Sequence, residues 1–316
     1  LVPWTKHKKH WHPTLSEPIL QIRDLWFWYQ ESTPVLRGVD LAISRGEFVA
    51  IVGANGSGKT TLVKHLNGLL RPKRGQVQVE GEDAAHLSIG ELAQRIGLLF
   101  QHPEQQIFSA TVRQELAFGP HNLGLSPAVV SERVDAALAR FDLSALAEQP
   151  PAILSYGQRR RVTLASLAAM DPAILVLDEP TVGLDAPGLH ETFDWLAELH
   201  TRGHTILLVT HDMALAAEYA GRAVILHQGQ ILGDGPPAEL FQQSELLARA
   251  SLVPPPVMAL ANALRSCGLE SKGLTVASFC DDYVAFLGRR PGRAGSDPMA
   301  AEIEPRGSDR SRGVRA

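Results

Sequence analysis

A nearly unbroken apolar run over residues 47–52 ends in Gly53-Ala54-Asn55-Gly56-Ser57-Gly58-Lys59-Thr60, and helical spacing resumes over residues 60–69. No other stretch restricts the fold as much. A run that is apolar at successive positions, not only at alternate ones, belongs to a strand covered on both faces, and so to a parallel sheet flanked by helices. Glycines at this spacing let backbone N–H groups turn inward around phosphates, and the helix that follows offers N–H groups with no partner inside the helix. Gly53, Asn55, Gly56, Ser57, Gly58 and Thr61 are read as nucleotide-binding residues of this loop. Lys59 reaches the β- and γ-phosphates, and the Thr60 hydroxyl holds Mg²⁺.

Three further apolar runs end in polar residues suited to phosphate chemistry. Residues 95–100 run into Gln101, residues 174–177 into Asp178-Glu179, and residues 205–209 into Thr210-His211. Asp178 can hold Mg²⁺, directly or through water. Glu179 can orient or deprotonate an attacking water. Gln101 can contact the metal or the water. His211 can hydrogen-bond the γ-phosphate, cap the helix that follows, or do both. Ligands of open α/β sheets bind beyond the carboxyl ends of parallel strands, so four such endings predict one nucleotide site.

The rest of the chain supplies the frame. Residues 19–29, rich in Trp, Phe and Tyr, together with 39–43 and 75–80, read as strands. Residues 102–153 carry amphipathic helical spacing (Val129, Val130, Val134, Ala137, Leu138, Phe141) and read as a helical insertion. Residues 223–232 predict a hairpin through Gln228-Gly229, and 238–250 predict a helix. Beyond Pro254-Pro255-Pro256, helices are predicted over 257–264 and 275–286. Residues 1–17 contain His7, His10 and His12 without a ligand spacing and read as a disordered leader, and residues 288–316 read as a disordered tail. Cys267 and Cys280 form no disulfide framework. A net charge of −4 provides no global basic field for nucleic acid, and Arg159-Arg160-Arg161 reads as a solvated or salt-bridged helix face. No run of 18 apolar residues could span a bilayer as a helix.

Between the second and third strand endings lies Leu154-Ser155-Tyr156-Gly157-Gln158. This resembles the signature of ATP-binding cassette (ABC) ATPases, and the resemblance extends over about residues 19–240 with the full motif set in order. It implies an α/β P-loop NTPase fold, the ABC ATPase head, with an antiparallel β subdomain, an inserted α-helical subdomain and a small C-terminal helical extension. It divides the chain into a leader (1–17), an ATPase domain (18–243, helical subdomain about 102–165), an extension (244–287) and a tail (288–316). By resemblance Tyr29 stacks on adenine, Gln101 is the Q-loop glutamine and a Mg²⁺ contact, Glu179 is the catalytic base, Asp185 belongs to the D-loop and His211 is the switch histidine. Ser155, Tyr156, Gly157 and Gln158 then serve the nucleotide of a second ATPase subunit, not their own. Tyr156 departs from the family pattern, which has Gly there in most members.

A narrower resemblance lies at residues 100–126, in Pro103-Glu104, Gln106-Ile107-Phe108 and the run from Ala117-Phe118-Gly119-Pro120 to Asn122-Leu123-Gly124. It is similar to the segment after the Q-loop in energy-coupling factor (ECF) importers, the group that includes cobalt and nickel importer ATPases. Residues 245–286 resemble the C-terminal extension of the same group. The implied activity is ATP hydrolysis, with ATP and Mg²⁺, that drives import of a metal cation or a vitamin-like micronutrient. The implied partners are a second ATPase subunit, identical or not, an integral-membrane ECF transmembrane subunit and a substrate-binding membrane component. The implied place is the cytoplasmic face of the membrane, peripherally. The alternatives are another type of ABC transporter, or an ABC ATPase acting on DNA or ribosomes. Only residues 61–153 separate the glycine loop from the signature, without long heptads, and the chain holds one cassette; both facts weigh against the DNA and ribosome readings. A P-loop kinase would leave the signature and His211 unexplained.

Overall fold

The computed structural model describes residues 17–31, 33–102, 106–271 and 273–289. His7, His10, His12, Pro103 and Glu104 lie outside the described residues, as do nearly all of the expected leader and tail. In chain order the elements are β1 (Leu20–Gln30), β2 (Thr33–Ile43), β3 (Phe48–Val52), α1 (Lys59–Leu66), β4 (Arg74–Val79), β5 (Glu82–Asp83), α2 (Ile89–Arg95), β6 (Ile96–Leu99), α3 (Val112–Asn122), α4 (Pro127–Arg140) and α5 (Tyr156–Met170). They continue with β7 (Ile174–Asp178), α6 (Ala186–Thr201), β8 (Thr205–Thr210), α7 (Met213–Tyr219), β9 (Arg222–His227), β10 (Gln230–Gly235), α8 (Pro237–Leu240), α9 (Ser244–Arg249), α10 (Pro256–Leu264) and α11 (Val276–Arg289).

Two sheets form. One is antiparallel, in the order β2-β1-β4-β5, and the other has the order β10-β9-β3-β8-β7-β6. In the second, β9, β3, β8, β7 and β6 run parallel and β10 closes the edge as a hairpin on β9. Side chains of a strand alternate between faces, so each apolar strand feeds two cores. Val49, Ile51, Ile174, Val176, Leu207 and Val209 pack with Leu62 and Leu66 of α1 and with the antiparallel sheet. Phe48, Ala50, Val52, Leu175, Leu177, Ile206 and Leu208 pack with the helices of the opposite side, including α3 to α7. Burial on both faces is why these strands read as continuous apolar runs. A small third cluster, around Ala261, Leu269 and Phe279, joins α10 to α11.

Two expectations need correction. The second strand begins at Thr33, not near residue 39. The longer strand includes Pro34, which an edge strand tolerates, and Gly38, which takes φ 65° beside the register shift against β1. The helix expected over 238–250 is two short helices, α8 and α9. The chain leaves helical geometry at Gln243, with ψ 84°, and Phe241 and Leu247 on either side both enter the large core.

Candidate functional site

The phosphate loop follows from β3, whose five residues are all buried. At its far end Gly58 has φ 108°, a left-handed conformation that favours glycine, and a Cβ there would stand 3.0 Å from Leu36 and 3.2 Å from the Val35 carbonyl. The turn therefore needs both the dihedral freedom and the missing side chain. Lys59, the first residue of α1, folds back so that Nζ donates to the carbonyls of Gly53 (2.6 Å) and Ala54 (3.2 Å). Burial lowers the pKa of Lys59, opposed by the charges of Glu179 and Asp178. Ser57 Oγ is buried without a hydrogen-bond partner. An orphaned hydroxyl inside a phosphate-sized turn fits a site built for an oxyanion.

Strands β7 and β8 bring the acids to this loop. Thr60 Oγ1 donates to Asp178 Oδ2 at 2.8 Å. Asp178 is buried, and desolvation raises its pKa, while the Thr60 hydrogen bond acts the other way and the Glu179 charge adds to the rise. Glu179 is also buried and takes φ 50°, with its N–H donating to Val209 O at 2.9 Å. Its Oε1 accepts from the His211 N–H at 3.1 Å and lies 2.9 Å from His211 Nδ1. An ionised carboxylate only accepts, so Nδ1 carries the hydrogen and Nε2 is left available. The His211 side chain is 63% exposed, against 8% for Glu179, which suits a buried base beside a ring that can meet ligand. The cap of α7 is Asp212, whose Oδ1 accepts from Ala214 and Leu215 N–H, so capping is not the role of His211.

These groups enclose one cavity of about 340 Å³, lined by Asn55, Gly56, Gly58, Lys59, Thr60, Thr61, Gln101, Asp178, Glu179 and His211 among others. Thr60, Asp178 and Gln101 are hard oxygen donors at one wall. Among the described residues no cluster of three His, Cys, Asp or Glu could cage a metal by itself. That donor set fits Mg²⁺, which takes one or two protein oxygens and completes its shell with phosphates and water. Gly53 and Ser57 belong to the turn but are not among the residues lining the cavity. Tyr29, next to the last residue of β1, is 61% exposed and edge-on to Phe27.

The signature residues are not part of that wall. Ser155 caps α5: its Oγ accepts from Gln158 N–H, and Gln158 Oε1 accepts from Ser155 N–H at 2.9 Å, a reciprocal capping box. Tyr156 reaches the Gln101 carbonyl at 3.4 Å through its hydroxyl, and its ring lies over Gly183. Asp185 caps α6, accepting from Gly188 N–H at 3.0 Å.

Arg160 overturns the reading of the arginine run as a solvated face. It is completely buried, with its guanidinium on backbone carbonyls at the ends of β6 and β7. Of its neighbours, Arg161 fits the expectation, 3.6 Å from Asp185 and 3.9 Å from Asp142, whereas Arg159 is half-buried, donates to Leu154 O and keeps its Nε buried. The signal for Arg160 was its helical spacing to Leu164 and Leu167, which places it on the buried face of α5.

A family profile described as ABC transporter matches residues 36–182. The energy-coupling factor transporter ATP-binding protein EcfA of Methanothermobacter thermautotrophicus is 40% identical over 273 residues, 85% of this chain and 88% of that protein. CbiO1 from Clostridium perfringens, described as part of the ABC transporter complex CbiONQ, matches in structure with a TM-score of 0.65 at 35% identity, covering 78% of this chain and 100% of its own. The ATP-binding cassette MJ0796, a dimer in a post-hydrolysis state bound to ADP and Pi, matches with a TM-score of 0.62 at 27% identity over 69% of this chain and 98% of its own.

Proposed function

This chain belongs to the ABC transporter ATPase family, in its energy-coupling factor branch, and on that premise we propose that it is the subunit that binds and hydrolyses ATP to energise a membrane importer. One observation carries the reading: Thr60, Asp178, Glu179 and His211 meet in one cavity above the phosphate loop. Glycine-loop N–H groups and Lys59 bind the phosphates, with Lys59 exchanging the Gly53 and Ala54 carbonyls for phosphate oxygen. Glu179 takes the proton of the water whose oxygen attacks the γ-phosphorus, and the bond to the β–γ bridging oxygen breaks to release ADP. The His211 N–H and Nδ1–H orient the Glu179 carboxylate, and when both ring nitrogens carry a proton Nε2–H donates to a γ-phosphate oxygen. Thr60, Asp178 and Gln101 would hold Mg²⁺, which would supply positive charge against the phosphates. Tyr29 stacks on the adenine.

Ser155, Tyr156, Gly157 and Gln158 stand apart from this cavity, which supports their action on the ATP of a second ATPase subunit. The cassette spans residues 18–243, with its helical subdomain at about 102–165, and residues 244–287 form the extension. Beside β6 lies an apolar groove of about 430 Å³, lined by Ile89, Phe100, Phe108, Phe118 and Met170 among others. Phe108 and Phe118 are 65% and 48% exposed and meet edge to face at 4.6 Å. A groove of this kind suits an amphipathic helix of the integral-membrane subunit. Among the described residues no helix is long and apolar enough to cross a membrane. On this reading the protein acts peripherally, at the cytoplasmic face, and its cargo, a metal cation or a vitamin-like micronutrient, is handled by the membrane components.

Affinity purification from detergent-solubilised membranes tests the reading. The expected result is a complex with an integral-membrane protein and two ATPase subunits, whose ATPase activity is lost in Lys59→Ala. ATPase activity stimulated by DNA or ribosomes, with no membrane protein recovered, would overturn it.

A further inference from the structure

Arg160 is the bulkiest of the fully buried side chains. A guanidinium withdrawn from water persists only when its donors are satisfied. Here they are spread over two strand ends. Nη1 donates to Phe100 O (2.5 Å) and Gln101 O (3.3 Å), beyond β6. Nη2 donates to Glu179 O (2.5 Å) and lies 3.5 Å from Asp178 O, and Nε donates to Pro180 O (3.3 Å), beyond β7. Strands β6 and β7 are neighbours in register, Leu99 opposite Leu177, so one planar fork spans the gap where their ladder ends.

The position of Glu179 gives this fork a consequence. Its φ of 50° is uncommon for a residue with a side chain, and such a conformation holds only where the surroundings over-determine it. Its N–H is tied to Val209 O, and its C=O is tied to Arg160. Tyr156, four residues earlier on the same face of α5, touches the Gln101 carbonyl and covers Gly183. One helix face thus grips the main chain of both the glutamine and the base. Arg160 itself is not in the wall of the nucleotide cavity.

We propose that Arg160 is a positioning residue for hydrolysis: it fixes the Glu179 main chain in its left-handed turn, and Gln101 beside it, so that the carboxylate is aimed at the attacking water. This rests on the reading of Glu179 as the base. Misplacing a reacting group by about 1 Å can lower turnover about 100-fold while binding is kept. A side chain that merely fills the core would act on folding and ATP affinity together.

The test uses the full-length chain, with ATP affinity, KM and kcat measured for Arg160→Gln, Arg160→Lys and Glu179→Gln. For Arg160→Gln the expected result is ATP affinity and KM within twofold of wild type and kcat lowered about 10- to 100-fold. Arg160→Lys keeps the charge but cannot span both strand ends, so it restores less than half of the wild-type kcat. Wild-type kcat in either variant overturns the proposal, and so does loss of ATP binding in both, which makes Arg160 a residue of the framework alone. Glu179→Gln separates the two readings. If it turns over ATP normally, the base assignment fails; if it is inactive while Arg160→Gln is unaffected, only the role of Arg160 fails.

Discussion

Replacing Glu179 with Gln isolates proton transfer from everything else in the site. The amide has the shape of the carboxylate, and its oxygen can still accept the His211 N–H now held at 3.1 Å. The loop of residues 53–61 and the Thr60–Asp178 hydrogen bond of 2.8 Å are untouched. What disappears is the basic oxygen. General-base catalysis contributes about 10²- to 10⁴-fold, which at about 1.4 kcal/mol per tenfold raises the barrier by about 3–5 kcal/mol. Binding should move little, and toward tighter ATP, because a buried negative charge beside the incoming γ-phosphate has been removed. Phosphate release at saturating ATP and nucleotide affinity, both on the full-length chain, provide the two readings. Turnover within tenfold of wild type would refute the role of Glu179, and so would a loss of ATP affinity as large as the loss of turnover.

Three further outcomes follow from the geometry. Burial raises the Asp178 pKa in the folded chain, so the native state holds this proton more tightly than the unfolded one; the stability it contributes is full below the ordinary carboxylate range and is lost as pH rises through the folded pKa. Asp178→Asn, which keeps an acceptor for Thr60, should flatten that dependence and raise the denaturation midpoint of the nucleotide-free chain at neutral pH, while Mg²⁺-dependent stabilisation by ATP disappears. Arg222 is buried and forks onto Asp234 at 2.6 Å for both bonds, with further bonds to Glu47 (3.1 Å) and Ala42 O (2.8 Å); Arg222→Met strands two carboxylates where the sheets meet and should lower urea-denaturation stability by about 3 kcal/mol, since Asp234 is partly solvated. A Cβ on Gly183, where φ is 82°, would lie 2.2 Å from the Tyr156 ring; Gly183→Ala should destabilise by about 1–3 kcal/mol, and Tyr156→Ala should relieve part of that, which a double-mutant cycle reads as a coupling of about 1 kcal/mol.

The chemistry at the strand ends was legible because it is local. An apolar run followed by glycines, by Asp178-Glu179 or by Thr210-His211 carries its strand, its turn and its donors in a few consecutive residues. Sequence placed the phosphate loop, Thr60, Asp178, Glu179 and His211, and the structure gathers them in one cavity. The small errors have local causes too. Asp212 takes the cap that was open to His211, and Pro34 sits within β2 because an edge strand tolerates it.

What sequence could not provide depends on which chain segments lie side by side. Arg160 sits between two arginines, and charge clusters on helices usually face water. Only the packing of α5 against the ends of β6 and β7 reveals carbonyl groups there with no strand left to pair with, and buried carbonyls require donors. Ser155 and Asp178 are joined by a single helix and strand, yet Ser155 stands outside the cavity that Asp178 lines. Sequence by itself determined the kinds of groups that hydrolysis needs and the order in which the chain delivers them. Tertiary structure decided which of those groups share a site, and which side chain holds that site in shape, because distance in space follows sheet order and helix packing, not spacing along the chain.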